Sequence, residues 1–313
     1  MSATCTPHAS RHMIRHRDYG ELIAMREYSF AVLGGDMRGC HLAEAIRADG
    51  LPVQLFGFDK LDTPPDSPGL AAVLAEADVV LGATPCCAGS GVLNTPFHDG
   101  CLTADVLAAH MRAGQSFIAG RIPVELAAAL SARGIRVFDI LEREEMAVLN
   151  AIPTAEGAVQ LAMERLPITL HGADALILGY GRIGKILAKM LQGIGSKVYV
   201  AARKLSDAAL LRSYGHIHVP FDALDDSLGR MDVIFNTVPH ILLDQHNLRF
   251  VRKDCVLIDM ASRPFGIDVD ASRREGLEVV WAPSLPGKAA PVTAAQYIYE
   301  TVQNILREGE ELV

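Results

Sequence analysis

A run of apolar residues at 175–178 leads directly into three glycines with the spacing G-x-G-x-x-G. The motif consists of Gly179, Tyr180, Gly181, Arg182, Ile183 and Gly184, and a helical pattern of apolar residues follows it. The first glycine permits a tight turn, the second lets the backbone approach a phosphate, and the third lets the helix pack closely on the strand. This context predicts a Rossmann fold that binds a dinucleotide, although a glycine-rich turn that binds nothing is the alternative.

Two cations follow the next predicted strand, at residues 197–202. That strand ends in Ala202, and Arg203 and Lys204 come next, with no acidic residue. A carboxylate at this place binds the ribose 2′-hydroxyl of NAD, whereas a guanidinium group matches the 2′-phosphate of NADP. The sequence therefore favours NADP over NAD, and the alternative is that both cations are solvated loop residues.

Three other segments are candidates to contact the ribose and the nicotinamide. Two of them follow predicted strands at 233–236 and 256–259, and the third, residues 284–288, is predicted as a loop before the last helix. Ligands of open α/β sheets bind at the carboxyl ends of the strands. The further cofactor contacts selected here are Thr237, Val238, Pro239, Ser262 and Gly287, although each segment taken singly could be an ordinary loop.

Strands and helices alternate through both halves of the chain. In the first half the predicted strands are 29–33, 53–58, 77–81, 115–119 and 134–139, and the predicted helices follow residue 39 and cover 104–113 and 124–133. A second alternation begins at residue 175 and ends near residue 281. The pattern predicts an α/β fold with two lobes, each an open, mostly parallel sheet with helices on both faces, and a Rossmann fold in the C-terminal lobe.

Residues 144–166 have apolar residues at helical spacing and are interrupted by Pro153, so we interpret them as the connection between two domains. An amphipathic helix at 294–306 returns to the first lobe in this interpretation. The predicted organisation is an N-terminal arm (1–28), a substrate-binding and catalytic domain (29–150, joined by a helix within 291–313) and an NADP-binding domain (151–290). A ligand is expected in a cleft between the lobes.

Charge and cysteine content argue against several classes of function. The net charge is −8, from 29 basic and 37 acidic residues, and this argues against a nucleic acid or an anionic membrane as partner. The six cysteines form no CxxC pair, and no apolar stretch is long enough to cross a bilayer. We expect a soluble, cytoplasmic protein without a metal site, although His8, His12 and His16 of the basic arm have a spacing that a metal could use.

Six blocks of the sequence resemble the A subunits of dipicolinate synthase, a family of sporulation proteins. The blocks are GGDMR at 34–38, AIPTAEG at 151–157, LGYGRIG at 178–184, NTVP at 236–239, DMASRP at 259–264 and LPGKAAP at 285–291. The resemblance implies an NADP-dependent oxidoreductase that works with a flavoprotein-like B subunit in the mother cell of a spore-forming bacterium. It implies oxidation of dihydrodipicolinate, or of its hydroxylated tetrahydro precursor, to pyridine-2,6-dicarboxylate.

Oxidation of such a cyclic dicarboxylate needs a hydride acceptor, a base and cations for two carboxylates. Arg38 and Arg263 are the predicted carboxylate ligands, because both follow strand ends and a guanidinium group matches a carboxylate. The candidates for the base are Asp36 and Glu156, which belong to blocks that carry the resemblance. Each also has a plain structural alternative: Asp36 can cap a helix, Glu156 can stabilise a helical turn, and either arginine can be a surface residue.

Two other classes of function stay open from the sequence. One is a regulatory protein that binds NADP without turning it over, and the other is an NADP-dependent dehydrogenase of the same architecture that acts on a hydroxy acid or a shikimate-like substrate. The catalytic Lys/Asp pair of the shikimate type is not evident in the first lobe. We also expect the chain to form a homo-oligomer.

Overall fold

The protein is described by a computed structural model that covers residues 28–65, 68–89 and 91–311. The predicted N-terminal arm, with its three histidines, lies outside the described residues except for Tyr28. The chain forms two compact units. The first consists of two segments, one before residue 148 and one from Pro291 onward, and the second is the continuous segment Val148–Ala290 between them.

A five-stranded parallel sheet forms the centre of the first unit, with the strand order β2-β1-β3-β6-β7. The strands are β1 (Phe30–Leu33), β2 (Val53–Phe56), β3 (Val79–Gly82), β4 (Cys87–Gly89), β5 (Val92–Leu93), β6 (Ser116–Ala119) and β7 (Arg136–Asp139), of which β4 and β5 pair as a separate antiparallel hairpin. The helices are α1 (Met37–Ala48), α2 (Leu70–Glu76), α3 (Ala104–His110), α4 (Val124–Ser131) and the start of α5 (Glu144–Arg165).

Both faces of the first sheet are covered, as the fully buried strands β1 and β6 require. Phe30 and Val32 of β1 face one core, which is shared with Ile46 of α1 and with a helix from the end of the chain. The alternate residues of β1 face a second core, built with residues from α2, α3 and α4. The sequence reasoning found the five strands but missed α2 and the β4–β5 hairpin.

A six-stranded parallel sheet forms the second unit, with the strand order β10-β9-β8-β11-β12-β13. Its strands are β8 (Asp174–Leu178), β9 (Lys197–Ala201), β10 (Ile217–Val219), β11 (Val233–Asn236), β12 (Val256–Asp259) and β13 (Val279–Trp281). Its helices are α6 (Arg182–Ile194), α7 (Leu205–Ser213), α8 (Leu224–Leu228), α9 (Gln245–Leu248), α10 (Val269–Arg274) and α11 (Leu285–Ala289). This is the strand order 3-2-1-4-5-6 of the Rossmann fold, so the predicted fold class is confirmed.

Helix α5 continues through Pro153, where the sequence suggested an interruption. Proline removes one helical hydrogen bond, because it has no N–H group. The small residues Ala151, Ala155 and Ala158 are nevertheless fully buried on both sides of it. Packing of this apolar face holds the helix together, and the hydroxyl of Thr154 donates a 2.7 Å hydrogen bond to the carbonyl of Asn150.

The loop predicted at residues 284–288 is instead largely the short helix α11, which covers residues 285–289. Pro286 lies in its first turn, where the missing N–H costs nothing. Leu285 is buried and contacts the position of Gly157 on α5, where an added side-chain carbon would lie 3.1 Å from it. Gly287 therefore lies in a helical turn that packs on α5 rather than in an open loop.

The last helix, α12 (Pro291–Glu311), completes the core of the first unit. It packs along α1, and Val302 and Ile305 are buried in the same core as Phe30. The hydroxyl of Tyr299 donates a 2.8 Å hydrogen bond to the carboxylate of Asp49, just after α1.

Among the described helices, none combines the length and the apolar character that a membrane span requires.

We predict that Val302→Ala destabilises the first unit by about 2 kcal/mol, because it removes two buried methyl groups and leaves a cavity. Val292→Ala on the same helix is the matched control: Val292 is 41% exposed, so its replacement should change stability by less than about 0.5 kcal/mol. Urea unfolding followed by circular dichroism measures both. Equal losses from the two variants would show that α12 contributes no core packing.

Candidate functional site

The glycines of the motif have three different surroundings. Gly179 has φ +99°, and a side-chain carbon there would lie 2.6 Å from both Thr237 and Val238. A side-chain carbon at Gly184 would lie 2.2 Å from the carbonyl oxygen of Gly179. At Gly181, by contrast, no atom lies within 4 Å of that position. Gly179 and Gly184 therefore allow close packing, and Gly181 leaves the backbone open to a ligand.

The N-terminus of α6 lies directly at this opening. Gly181 is its N-cap residue, no side chain caps the helix, and the first turn contains no acidic residue. The free N–H groups and the helix dipole together favour an anion at this end. Tyr180 beside it is largely buried, which raises the pKa of its hydroxyl, and Lys185 lies 5.6 Å from its ring centre. Ile183 packs against the core of the second unit. The turn fits the pyrophosphate of a dinucleotide.

The two cations after β9 are exposed. Ala201 and Ala202 are buried, whereas Arg203 and Lys204 extend into solvent, and the described residues give neither side chain a hydrogen bond or an ion pair. Lys204 is the N-cap residue of α7, and its side chain makes no capping bond. Both charges are available to an anionic group of a ligand.

A buried polar pair connects the ends of β11 and β12. Asn236 and Asp259 are 0% and 1% exposed, and the Asn236 side-chain amide donates a 2.9 Å hydrogen bond to Asp259 Oδ1. The same Asp259 oxygen accepts a bond from the N–H of Ala261, and Oδ2 accepts bonds of 2.8 and 3.1 Å from the N–H groups of Gly266 and Ile267. Asp259 thus accepts four hydrogen bonds.

The pair holds the loop after each strand. The amide of Asn236 bonds both the carbonyl and the N–H of Val238, and the Thr237 hydroxyl donates a 2.8 Å bond to the carbonyl of Leu178, the residue before Gly179. Pro239, which follows, is exposed. The loop after β12 presents Ser262 and Arg263 to solvent, and the guanidinium of Arg263 lies 5.5 Å from the ring centre of Phe265. The predicted contacts at 237–239 and 262–263 therefore lie at the carboxyl ends of adjacent strands.

Asp36 and Arg38 of the first unit bind each other. Asp36 accepts hydrogen bonds of 2.8 and 2.9 Å from the Nε and Nη2 groups of Arg38, and it caps α1 by accepting the N–H of Arg38. Nη2 of Arg38 also donates to the carbonyl of Thr84. This cluster lies between β1 and β3, where the strand order of the first sheet reverses and open α/β sheets bind ligands. Nη1 of Arg38 takes part in none of these bonds.

Glu156 of the second unit, and Arg143 and Arg121 of the first unit, take no part in the Asp36–Arg38 cluster as described. Glu156 is exposed on α5. Arg143 forms two hydrogen bonds with Glu308 and one with Glu145, so its guanidinium group is occupied. Arg121 is exposed, has φ +53°, and its backbone N–H donates to Asp139.

Sequence reasoning missed an imidazole–carboxylate pair after β2. Nδ1 of His98 lies 3.0 Å from both carboxylate oxygens of Asp59. Burial favours a raised pKa for Asp59, but hydrogen bonds from the Asp99 N–H and from His98 hold its pKa below the ordinary value. The pair orients Nε2 of His98 as a possible proton acceptor. The two residues lie 39 positions apart, and no sequence pattern connects them.

Models of known protein families match both halves of the chain. Residues 29–141 match the family model of the N-terminal domain of the dipicolinate synthase A subunit. Residues 153–265 match the NAD-binding domain of D-isomer-specific 2-hydroxyacid dehydrogenases. The chain is therefore an oxidoreductase of the type that uses a nicotinamide dinucleotide.

Relatives that match most of the chain carry the same family description. The A subunit of dipicolinate synthase from Bacillus subtilis is 30% identical over 287 residues, which are 89% of this chain and 95% of that protein. The crystal structure of the corresponding A subunit from Bacillus halodurans has a TM-score of 0.80 with 26% identity, and the match covers 89% of this chain and 97% of the other. The crystal structure of the Bacillus subtilis protein has a TM-score of 0.79 with 28% identity, and the match covers 91% and 98%.

These matches confirm the resemblance found in the six sequence blocks. They extend over both units, and the name of the relatives as A subunits points to a partner protein. The chain belongs to the family of dipicolinate synthase A subunits.

Proposed function

We propose that this chain is the A subunit of a dipicolinate synthase and oxidises dihydrodipicolinate, formed by loss of water from its 4-hydroxy-tetrahydro precursor, to dipicolinate with NADP. The observation that carries the proposal is the similarity to the Bacillus subtilis protein over 89% of this chain and 95% of that one. The open glycine turn and the exposed Arg263 support it, because they match a dinucleotide and an anionic substrate respectively.

The dinucleotide site consists of the glycine turn and the loops around it. The backbone at Gly181 and the first turn of α6 would hold the pyrophosphate. Thr237, Val238 and Pro239, with Ser262, would contact the ribose and nicotinamide from the ends of β11 and β12. Gly287 is the weakest member of the proposed set, because α11 packs against α5.

Arg203 and Lys204 make NADP the proposed cofactor. They follow a strand end that has no carboxylate, and neither is paired with a protein acid among the described residues. These two cations would bind a 2′-phosphate, since a guanidinium group binds phosphate oxygens in pairs and the ammonium adds a second positive charge.

Oxidation of the ring removes a hydride and a proton. A bound nicotinamide supplies the hydride acceptor, and the protein must bind the carboxylates and remove the proton. Arg263 is the stronger carboxylate ligand, because its guanidinium group is exposed and, among the described residues, lies near the Phe265 ring without forming an ion pair. Nη1 of Arg38 has no partner among the described residues and is left to bind a carboxylate, while Nε and Nη2 hold the guanidinium group in place.

Glu156 and Asp36 remain the two proposals for the base. Both carboxylate oxygens of Asp36 already accept hydrogen bonds from the Arg38 side chain, so neither is free to contact a substrate proton. Glu156 has no such partner among the described residues, so we favour it as the base.

The proposal includes a partner subunit and a cellular location. The name of the relatives implies a second type of chain, and we propose a flavoprotein-like B subunit that works with this protein, itself a homo-oligomer, in the cytoplasm of the mother cell during sporulation. Dependence of turnover on that partner is the property that would distinguish this enzyme from a stand-alone dehydrogenase for a hydroxy acid.

The purified chain, mixed with NADP and freshly generated dihydrodipicolinate precursor, with and without the B subunit, should form NADPH in step with dipicolinate. Absorbance of both products measures the reaction after subtraction of spontaneous oxidation. Arg263→Ala and Glu156→Gln should each lower turnover at least about 100-fold if they bind substrate and take the proton. Tight NADP binding without turnover in every combination would instead indicate a regulatory protein.

Gly184→Ala should weaken dinucleotide binding roughly 10-fold or more, because the added methyl group pushes the helix away from the carbonyl of Gly179. Gly193→Ala is the matched control on the same helix, since nothing lies within 4 Å of its added carbon. That control should bind normally and gain up to about 1 kcal/mol of stability. Calorimetric titration with NADP measures the affinity, and an unchanged affinity for Gly184→Ala would contradict the proposed turn.

Arg203→Ala should raise the KM for NADP roughly 10- to 100-fold, the usual loss for a charge-assisted hydrogen bond, and leave the KM for NAD nearly unchanged. Arg212→Ala, which removes an exposed arginine from the last turn of α7, is the control and should alter neither. If the variant at position 203 loses affinity for both dinucleotides equally, the 2′-phosphate is not bound there.

A further inference from the structure

We propose that Asp259, together with Asn236, is a positioning residue that fixes the Arg263 loop relative to the loop at 237–239. The inference rests on the proposed function, because it assigns Asp259 an effect on the residues proposed to bind substrate and nicotinamide. It adds a residue that touches neither ligand and acts through the backbone.

The Asp259 carboxylate is chemically unusual. It is 1% exposed, and the described residues provide no lysine, arginine or histidine to pair with it. A buried charge is costly unless hydrogen bonds satisfy it. Four N–H groups donate to its two oxygens, which matches the accepting capacity of a carboxylate. Apolar residues would pack at the end of this strand at least as stably, but they could not hold separate backbone segments in place.

The donors bracket the loop that carries Arg263. Of the three backbone donors, the N–H of Ala261 lies before Ser262 and Arg263, and the N–H groups of Gly266 and Ile267 lie after them. The loop is therefore tied at both ends to one side chain. Gly266 allows this close approach, since a side-chain carbon there would lie 2.2 Å from the Asn236 amide nitrogen.

Asn236 connects the same carboxylate to the second loop. Its amide bonds both backbone groups of Val238 while it donates to Asp259. Thr237 and Val238 in turn lie against Gly179, the first glycine of the dinucleotide turn. A single buried pair thus sets the positions of the loop beside the cofactor turn and of the loop that presents Arg263.

The chain contains its own reporter for the Arg263 loop. Trp281 at the end of β13 is the single tryptophan of the sequence, and its ring centre lies 4.2 Å from that of Phe265. Phe265 belongs to the tied loop and has φ +73°. Tryptophan fluorescence therefore reports a displacement of this loop without any need for turnover.

The test is Asp259→Asn in the full chain. The amide keeps the shape but turns an N–H₂ group toward two of the N–H donors, so the loop should move. We expect kcat to fall about 100-fold, because a displacement of catalytic groups by about 1 Å can lower the rate by that factor. The KM for NADP should change little, and the Trp281 emission of the folded variant should shift. Combined with Arg263→Ala, the loss in kcat should be less than the product of the two single losses.

Two further variants separate positioning from general stability. Asn236→Ala leaves Asp259 three donors, so it should raise the NADP KM more than it lowers kcat and leave the Trp281 emission unchanged. Val233→Ala, at the buried opposite end of β11, is the control that lowers thermal stability without changing kcat, KM or emission. If Asp259→Asn fails to fold, the contrast between Asn236→Ala and the control decides the proposal.

Several outcomes would overturn the inference. A folded Asp259→Asn variant with unchanged emission and kcat, or kcat losses that multiply with Arg263→Ala, would show that Asp259 does not act through the loop. So would an Asn236→Ala variant that behaves like Val233→Ala. A wild-type chain without turnover would refute the proposed function alone, since a shifted emission in Asp259→Asn would still establish that Asp259 fixes the loop.

Discussion

Burial of both faces of a parallel sheet is the constraint on which the rest of this structure depends. Strands such as β1, β6 and β11 are buried along their whole length, so they offer no side chain to solvent and no place for a ligand. Polar chemistry is left to the strand ends, where the backbone turns toward the next helix. Asn236 and Asp259 are the last residues of their strands, and Asp36 follows closely after β1. Each such group satisfies hydrogen bonds of the loop that begins there.

The two units solve the first strand–helix turn in different ways. In the first unit, Gly34 and Gly35 lead to Asp36, which caps α1 and is neutralised by Arg38. In the second unit, Gly179 leads to Gly181, and α6 begins without a side-chain cap. Related topology therefore gives one helix end that is already occupied by a protein carboxylate and one that is open to an anion. The cap residues, Asp36 and Gly181, thus leave only the helix end of the second unit, of these two, open to an anion.

The strands and the glycine turn could be predicted from the sequence because their signals are local. The strands predicted at 233–236 and 256–259 match β11 and β12 residue for residue, because each begins with three apolar residues, as strands buried on both faces require. The uninterrupted α5 could not be predicted, because packing of distant residues outweighs the local effect of Pro153. The same holds for α11, where Gly287 was expected in a loop. The bonds of Asp259 to Asn236 and of His98 to Asp59 depend on which strands and loops become neighbours, which no local pattern specifies.

The placement of α12 affects the order in which the chain can fold during synthesis. The second unit is a continuous segment, so all of its strands and helices have been synthesised once residue 290 leaves the ribosome. The first unit begins earlier but needs Val302 and Ile305 of α12 to fill the core around Phe30. One apolar face of its sheet therefore stays only partly covered, by α1, until the last helix has been made. The half of the protein that is translated first is completed last, and in that interval it is the part most in need of protection from aggregation.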